Sequence, residues 1–342
     1  MTKIFRTGLA GALFALALLA AACGGDDKSV VTVYSGRSEN LMQPILDEFE
    51  RETGVSIQVR WGSSTDLALL IAEEGDQTQA DVFISRSPGP IGFLESKGLL
   101  AAMDSSVLDL VATEHRGANG TWIGFSGRKR VLVHNLDLVP TSDLPSSVFE
   151  LTDPIWRGRV AIPAANGSFV DWFTVFRDQY GDDVAAQWLD DMVANDARNY
   201  PNNVSIVDAV ARGEVDVGLV NHYYNHRMAA DAEAAGREHL AANYDLSDED
   251  IGSLLIISAA TLTANADDRE AAQELIAYLL SPSAQRYFTN STYEYPLAGD
   301  VEPNPALPPL TALSIGSVDF DALGGGFEAT EDIIQRSGIL SQ

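Results

Sequence analysis

Cysteine is almost absent. The 342 residues contain one, Cys23, so no internal disulfide can form and no thiolate is available to hold a soft metal inside the fold. Basic residues are also scarce, 22 Lys and Arg against 49 Asp and Glu, for a net charge of −27. A surface of that sign repels phosphate backbones, which excludes nucleic acid as a partner; it favours cations in general without defining a site. Enzyme signatures are missing too. No G-x-S-x-G elbow, phosphate-binding G-x-x-x-x-G-K-[ST] or G-x-G-x-x-G after a strand occurs, which points away from an enzyme. One long apolar run is present, Leu9 to Ala22, and it falls short of the roughly 20 residues that a membrane span needs.

That run has the layout of a secretory signal. Lys3 and Arg6 precede it, and small residues, Ala20-Ala21-Ala22, close it just before Cys23. The position of Cys23 resembles a bacterial lipobox, in which the cysteine is acylated and becomes the new N-terminus, with Ala20 standing where many lipoboxes have Leu. Residues 1–22 are then a signal peptide and 23–29 a lipidated, flexible tether, Gly24-Gly25-Asp26-Asp27-Lys28-Ser29. The protein is expected outside the cytoplasm, on the cell membrane through its lipid. Losing the signal removes two basic residues and no acidic one, leaving 20 against 49 and a net charge of −29.

Strand and helix patterns alternate after the tether. Val30 to Tyr34 reads as a strand; Met42, Ile45, Leu46 and Phe49 fall at helical spacing, with Gly54 as the stop. Val55 to Arg60 is a second strand, Leu67 to Glu74 a helix capped from Ser63 to Asp66, and Asp81 to Ile84 a third strand. This βαβαβ order predicts an α/β fold with a parallel sheet, whose ligands bind beyond the carboxyl ends of the strands. The loops there are Ser35 to Glu39, Trp61 to Thr65 and Ser85 to Ser87. A second unit contains strands at Arg130 to His134, Gly158 to Ile162 and Asp216 to Val220, and a helix from about Asp171. The apolar run Ile251 to Ala260 can return the chain to the first unit, before a helix from Arg269 to Leu280.

The most distinctive segment is Asn221-His222-Tyr223-Tyr224-Asn225-His226 after the strand ending at Val220. Phenolate is a hard anionic donor suited to a hard cation, which also lowers the proton affinity of the phenol it binds. Two amphipathic rings at a strand end have a purely structural reading as well, one buried and one exposed. His222 and His226 are four apart, a spacing that can bind zinc, but no glutamate follows His222 and the metalloprotease pattern fails. Arg128, Arg130 and His134 share a face if this stretch is a strand. Arg37-Ser38 and Asn166-Gly167-Ser168 each precede a helix, where backbone donors suit anions.

Taken together, the chain resembles the periplasmic ferric-iron-binding receptors of bacteria. The resemblance runs over nearly the whole mature sequence. It is carried by Val33-Tyr34-Ser35-Gly36-Arg37, Ala80-Asp81-Val82-Phe83, Ser126-Gly127-Arg128-Lys129-Arg130-Val131, Leu151-Thr152-Asp153-Pro154, Gly213 to Tyr224 and Thr292-Tyr293-Glu294-Tyr295-Pro296. It implies a type II periplasmic binding protein, two α/β lobes around a cleft: residues 30–128 with 253–302, and 129–252 with 303–342. It implies Fe(III) as the transported ligand, bound by Tyr223 and Tyr224, with His134 where one branch has a third tyrosine. It also implies a synergistic carbonate or phosphate near Arg37, Arg128 or Arg130, Asn166, Gly167, Ser168, Asn203 and Asn221. A monomer delivering iron to an ABC permease and its ATPase follows from the same likeness. Two positions depart from the pattern: Ser38 replaces a usual histidine and Arg86 a usual glutamate, with Glu39 the nearby candidate to replace a missing ligand. Arg86 then faces an anion between itself and the metal. The alternatives are a receptor for another anion or a chelated metal in the same fold, and a zinc-dependent hydrolase.

Overall fold

The computed structural model describes residues 29–247, 250–309 and 326–342. The signal, Cys23 and most of the tether lie outside the described residues.

The chain runs β1 (Val30–Ser35), α1 (Glu39–Thr53), β2 (Ser56–Trp61), α2 (Ser64–Glu74), β3 (Val82–Ser85), α3 (Gly89–Ser96), β4 (Leu100–Ala101), α4 (Ser105–Leu108) and β5 (Trp122–Asn135). It continues with β6 (Val160–Ile162), α5 (Gly167–Tyr180), α6 (Asp182–Ala194), β7 (Arg198–Asn199), α7 (Asn203–Ala211), β8 (Val217–Asn221), α8 (His222–Ala234) and β9 (Ala241–Tyr244). The last elements are β10 (Leu255–Thr263), α9 (Arg269–Leu279), α10 (Pro282–Ser291), β11 (Tyr295–Pro296) and α11 (Phe327–Ser337).

Local signals explain the first units. In α1 the residues at helical spacing, Leu41, Met42, Ile45, Leu46 and Phe49, are the buried ones, and Gly54 ends the helix in the left-handed region at φ 79°. Ser63 caps α2 by accepting from the backbone N–H of Asp66. Strand β1 pairs in parallel with β2 and with β3, as βαβ crossovers require.

The sheet as a whole is mixed, in the order β2-β1-β3-β10-β5-β8-β6-β7. The expected return of the chain is β10, which runs antiparallel between β3 and β5. Strand β5 belongs to both halves of the sheet. Its first part, Trp122 to Lys129, pairs with β10, while Arg130 to His134 pair with β8. Two core clusters lie on the first half, around Met42, Phe49, Ile84 and Phe288, and around Leu67, Phe83, Leu94 and Tyr295. Two lie on the second, around Val131, Ile206 and Val220, and around Trp172, Phe173, Phe176 and Trp188. Helix α11 packs into the last of these through Phe327, Ile333 and Ile334, whereas Leu307 joins a first-half cluster. The carboxyl ends of β1, β3, β6 and β8 thus face a common space crossed by the middle of β5.

Candidate functional site

The end of β8 sets the centre of the site. Asn221 is extended, with φ −84° and ψ 137°, and the helix begins at His222, so Tyr223 and Tyr224 sit in the first turn of α8. Their rings stack at 4.1 Å between centroids, with 29° between planes. Tyr223 is 2% exposed and Tyr224 half-buried. Burial raises the proton affinity of the Tyr223 phenol well above the ordinary value, and the neighbouring Tyr224 adds to it; Arg37 and Arg128 pull the other way. Such a phenol gives up its proton to a strong Lewis acid rather than to water at neutral pH.

Three arginines, Arg37, Arg128 and Arg130, act on this pair, and a fourth, Arg86, adjoins Arg128. Arg37, beyond the end of β1, makes a buried ion pair with Glu294. Burial opposes the charge of Arg37, but Glu294 and the tyrosines outweigh it and hold the guanidinium above its usual value. Arg128 and Arg130 project from the middle of β5. Arg128 donates to the carbonyl oxygen of Arg86, and Arg130 to that of Ser168. Burial lowers the proton affinity of Arg128, and Arg37 adds like-charge repulsion. Arg130 is pushed down to about 9, by burial first and by Arg128 second; it rests over the face of Trp172 at 5.7 Å. Arg86, at the end of β3, lies 3.8 Å from the carboxylate of Asp171.

The turn before α5 and the start of α7 complete the polar wall. Asn166 caps α5 by accepting from the Ser168 N–H at 3.1 Å and from the Ser168 hydroxyl at 2.8 Å. The Asn203 amide donates to the Ser168 hydroxyl at 3.1 Å, and its oxygen accepts from the Asn221 N–H at 3.0 Å. Several buried polar atoms here have no hydrogen-bond partner among the described residues. They are Nε of Arg37, Arg86, Arg128 and Arg130, Nη1 of Arg130, Oδ2 of Asp171, and both side-chain polar atoms of Asn221. Buried polar atoms are ordinarily paired. Five cationic donors and an amide are thus gathered near the two phenols.

The structure does not bring every expected residue together. His134 is four residues along β5 from Arg130, about 13 Å at strand rise, opposite Val217 at the far end of β8. Its ring is buried and donates from Nδ1 to the Val139 carbonyl, so it is a core histidine rather than a neighbour of the tyrosines. Ser38 and Glu39 are exposed where α1 begins, directly after Arg37. His222 meets the Tyr223 ring edge-on, with centroids 6.0 Å apart, while its nitrogens bond elsewhere: Nδ1 accepts from the Lys129 N–H at 3.0 Å, and Nε2 donates to the Tyr293 carbonyl at 2.8 Å. Both ring nitrogens are therefore engaged. Among the described residues no three His, Cys, Asp or Glu side chains cluster as a metal cage, so the His222–His226 pair has no zinc site around it.

Two residues escaped the sequence reading as parts of the site. Glu294, fully buried, ties Arg37 to the Ser126 hydroxyl. Its only sequence signal was its place between Tyr293 and Tyr295. Asp171 read as the start of a helix; in the structure it is a buried acid one turn into α5.

The profile of the bacterial extracellular solute-binding proteins matches residues 77–321. The major ferric iron-binding protein of Neisseria meningitidis is 28% identical over 338 residues, 98% of this chain and 99% of that one. The iron-bound crystal structure of HitA from Pseudomonas aeruginosa superposes with a TM-score of 0.84 at 31% identity, over 91% of this chain and 99% of that one. The Trichodesmium protein IdiA (FutA), solved with iron and citrate, superposes at 0.76 with 26% identity, over the same 91% and 99%. A stacked tyrosine pair in an arginine-walled space, on the type II α/β scaffold that these proteins share, thus accompanies matches that span nearly the whole chain, which belongs to the bacterial extracellular solute-binding protein family.

Proposed function

We propose that the protein is a receptor that captures ferric iron through Tyr223 and Tyr224, together with an oxygen-rich anion held by the surrounding arginines, and hands it to an ABC permease and its ATPase. The observation that carries this reading is the stacked tyrosine pair, with Tyr223 buried beside Arg37 and Arg128. The relatives' iron-binding names support the same cargo. On capture, each phenolic proton leaves to solvent and the oxygen becomes an anionic donor to the trivalent ion. The unpartnered guanidinium nitrogens and Asn221 then hold carbonate, phosphate or a chelator carboxylate on the open side of the metal. These cations favour a metal–anion complex over a bare cation, and the same feature supports the second reading, a receptor for an anion or a chelated metal.

In this reading residues 30–128 with 253–302, and 129–252 with 303–342, act as the two lobes. The receptor works as a monomer, held to the membrane by acylated Cys23. Among the described residues no helix is long and apolar enough to cross a membrane. The deciding experiment mixes the purified protein with Fe(III), with and without carbonate, phosphate or citrate, and records metal content and the visible spectrum. A purple-brown tyrosinate–iron band with one iron per chain is expected. Colourless protein that retains no iron under every condition overturns the iron reading. Binding of the anion alone favours the second.

A further inference from the structure

Arg86 and Asp171 stand on opposite walls of the cleft. Arg86 follows β3 in the first half of the sheet, and Asp171 belongs to α5, which packs on the second. Their side chains approach to 3.8 Å between Nε and Oδ2. The carboxylate is 3% exposed and the guanidinium 22%. Neither facing atom has a hydrogen-bond partner, so the contact is ionic and can separate without breaking a geometrically fixed bond.

Three contacts aim Arg86 across the gap. Its backbone N–H donates to the Ser64 hydroxyl at 3.0 Å, at the start of α2. Its carbonyl oxygen accepts from Arg128 of the crossing strand. Its guanidinium lies against Gly167, where a Cβ would stand 2.2 Å from Nη2 and 2.6 Å from Cζ. Gly167 does not have a positive φ, so the glycine serves close approach rather than a special backbone conformation. A cation from one wall thus rests on the first turn of a helix of the other, with an acid beside it.

We propose that Arg86 and Asp171 form a cleft-closing contact, so that the two walls are joined by a direct protein ion pair and not only through a shared ligand. Asp171 is the positioning partner: it fixes where Arg86 docks. Asp171 also faces Arg128 and Arg130, whose charges its field supports. This inference does not depend on the identity of the cargo.

The test uses small-angle scattering on protein stripped with a chelator and dialysed free of added anions, so no ligand enters the result. Position 86 is partly exposed and tolerates a series. Wild type is expected to be compact, Arg86→Lys nearly so, and Arg86→Met and Arg86→Glu shifted to a larger radius of gyration. Arg86→Glu should shift furthest, because it sets a second carboxylate against Asp171. Asp171→Asn should expand the protein as Arg86→Met does, with circular dichroism unchanged. A stripped wild type already as expanded as Arg86→Glu overturns the proposal. So does an Arg86→Glu variant as compact as wild type.

Discussion

His222 donates from Nε2 to the backbone carbonyl of Tyr293 at 2.8 Å while its Nδ1 accepts from the N–H of Lys129. The neutral ring therefore joins α8 to both β5 and the segment that leads into β11. Protonation would turn the accepting nitrogen into a donor, leaving the Lys129 N–H without its acceptor and only the Lys129 carbonyl, at 3.3 Å, to receive the new proton.

This arrangement fixes the sign of an acid response. Burial, and next the neighbouring His226, push His222 down to about 3 from an ordinary value of 6.5. Between those values the unfolded chain holds a proton at this position that the folded chain does not, so stability is full above about 6.5 and is lost as pH falls toward about 3. Thermal midpoints measured from about pH 7 down to about pH 4 should fall, and His222→Gln should flatten that slope. An equally steep slope in the variant would show that other groups carry the acid response.

Tyr223→Phe and Tyr224→Phe should each remove or greatly weaken ferric binding while the fold is retained. Each loses one anionic donor but keeps the ring that packs against its neighbour. Iron titration followed by visible absorbance reads this directly. A double variant that binds at wild-type strength would place the metal elsewhere.

Glu294→Ala should destabilise the protein by about 3–5 kcal/mol, because it leaves the buried Arg37 guanidinium without its counter-charge. Denaturant unfolding measures the loss. A change below about 1 kcal/mol would mean that Arg37 finds another partner.

Gly36→Ala should cost about 1–3 kcal/mol through overpacking. Its Cβ would stand 2.0 Å from the Ser64 hydroxyl and 2.7 Å from the Ser64 Cα, against the start of α2. The same hydroxyl accepts from the Arg86 N–H, so the loop carrying Arg86 moves with it. Chemical denaturation compared with a Gly54→Ala control, where no atom lies within 4 Å but φ is positive, separates crowding from backbone strain.

Cys23→Ala should move the protein from the membrane fraction to the soluble fraction. Acyl chains anchor at about 0.8 kcal/mol for each buried methylene, and this variant has none. Fractionation followed by immunoblotting decides it; unchanged membrane association counts against lipidation.

The legible parts of the fold were those with a local period. Strands β1 to β3 and helices α1 and α2 show clear alternation or helical spacing with a cap, and the structure has them within a few residues of the expected bounds. Strand β5 was read only from Arg130 onward. Its first part contains Gly124, Gly127, Arg128 and Lys129, residues that locally argue against a strand, and only pairing with β10 and β11 keeps them extended and buried. The tyrosine pair was legible as a site because two phenols adjoin a strand end, but its helical setting was not: α8 has no side-chain cap at Asn221. Glu294 and Asp171 acquire their roles from partners far away in sequence, Arg37 and Arg86, which no local pattern can reveal.

The double membership of β5 also dictates an order of assembly. Ile84 has no neighbour on its outer side until Ala260 arrives, and Ser126 needs both Ser258 and Pro296. The first half of the sheet is therefore assembled from β1 to β3 on one side and β10 and β11 on the other, with β6 through β9 of the second half between them in sequence. Pairings that distant close slowly, because the loop entropy must be overcome before the contacts return anything. A chain emerging from its N-terminal end gathers β6 through β9 first, holds β1 to β3 as an unfinished, open-edged sheet until β10 is available, and closes the second-half core last, with α11.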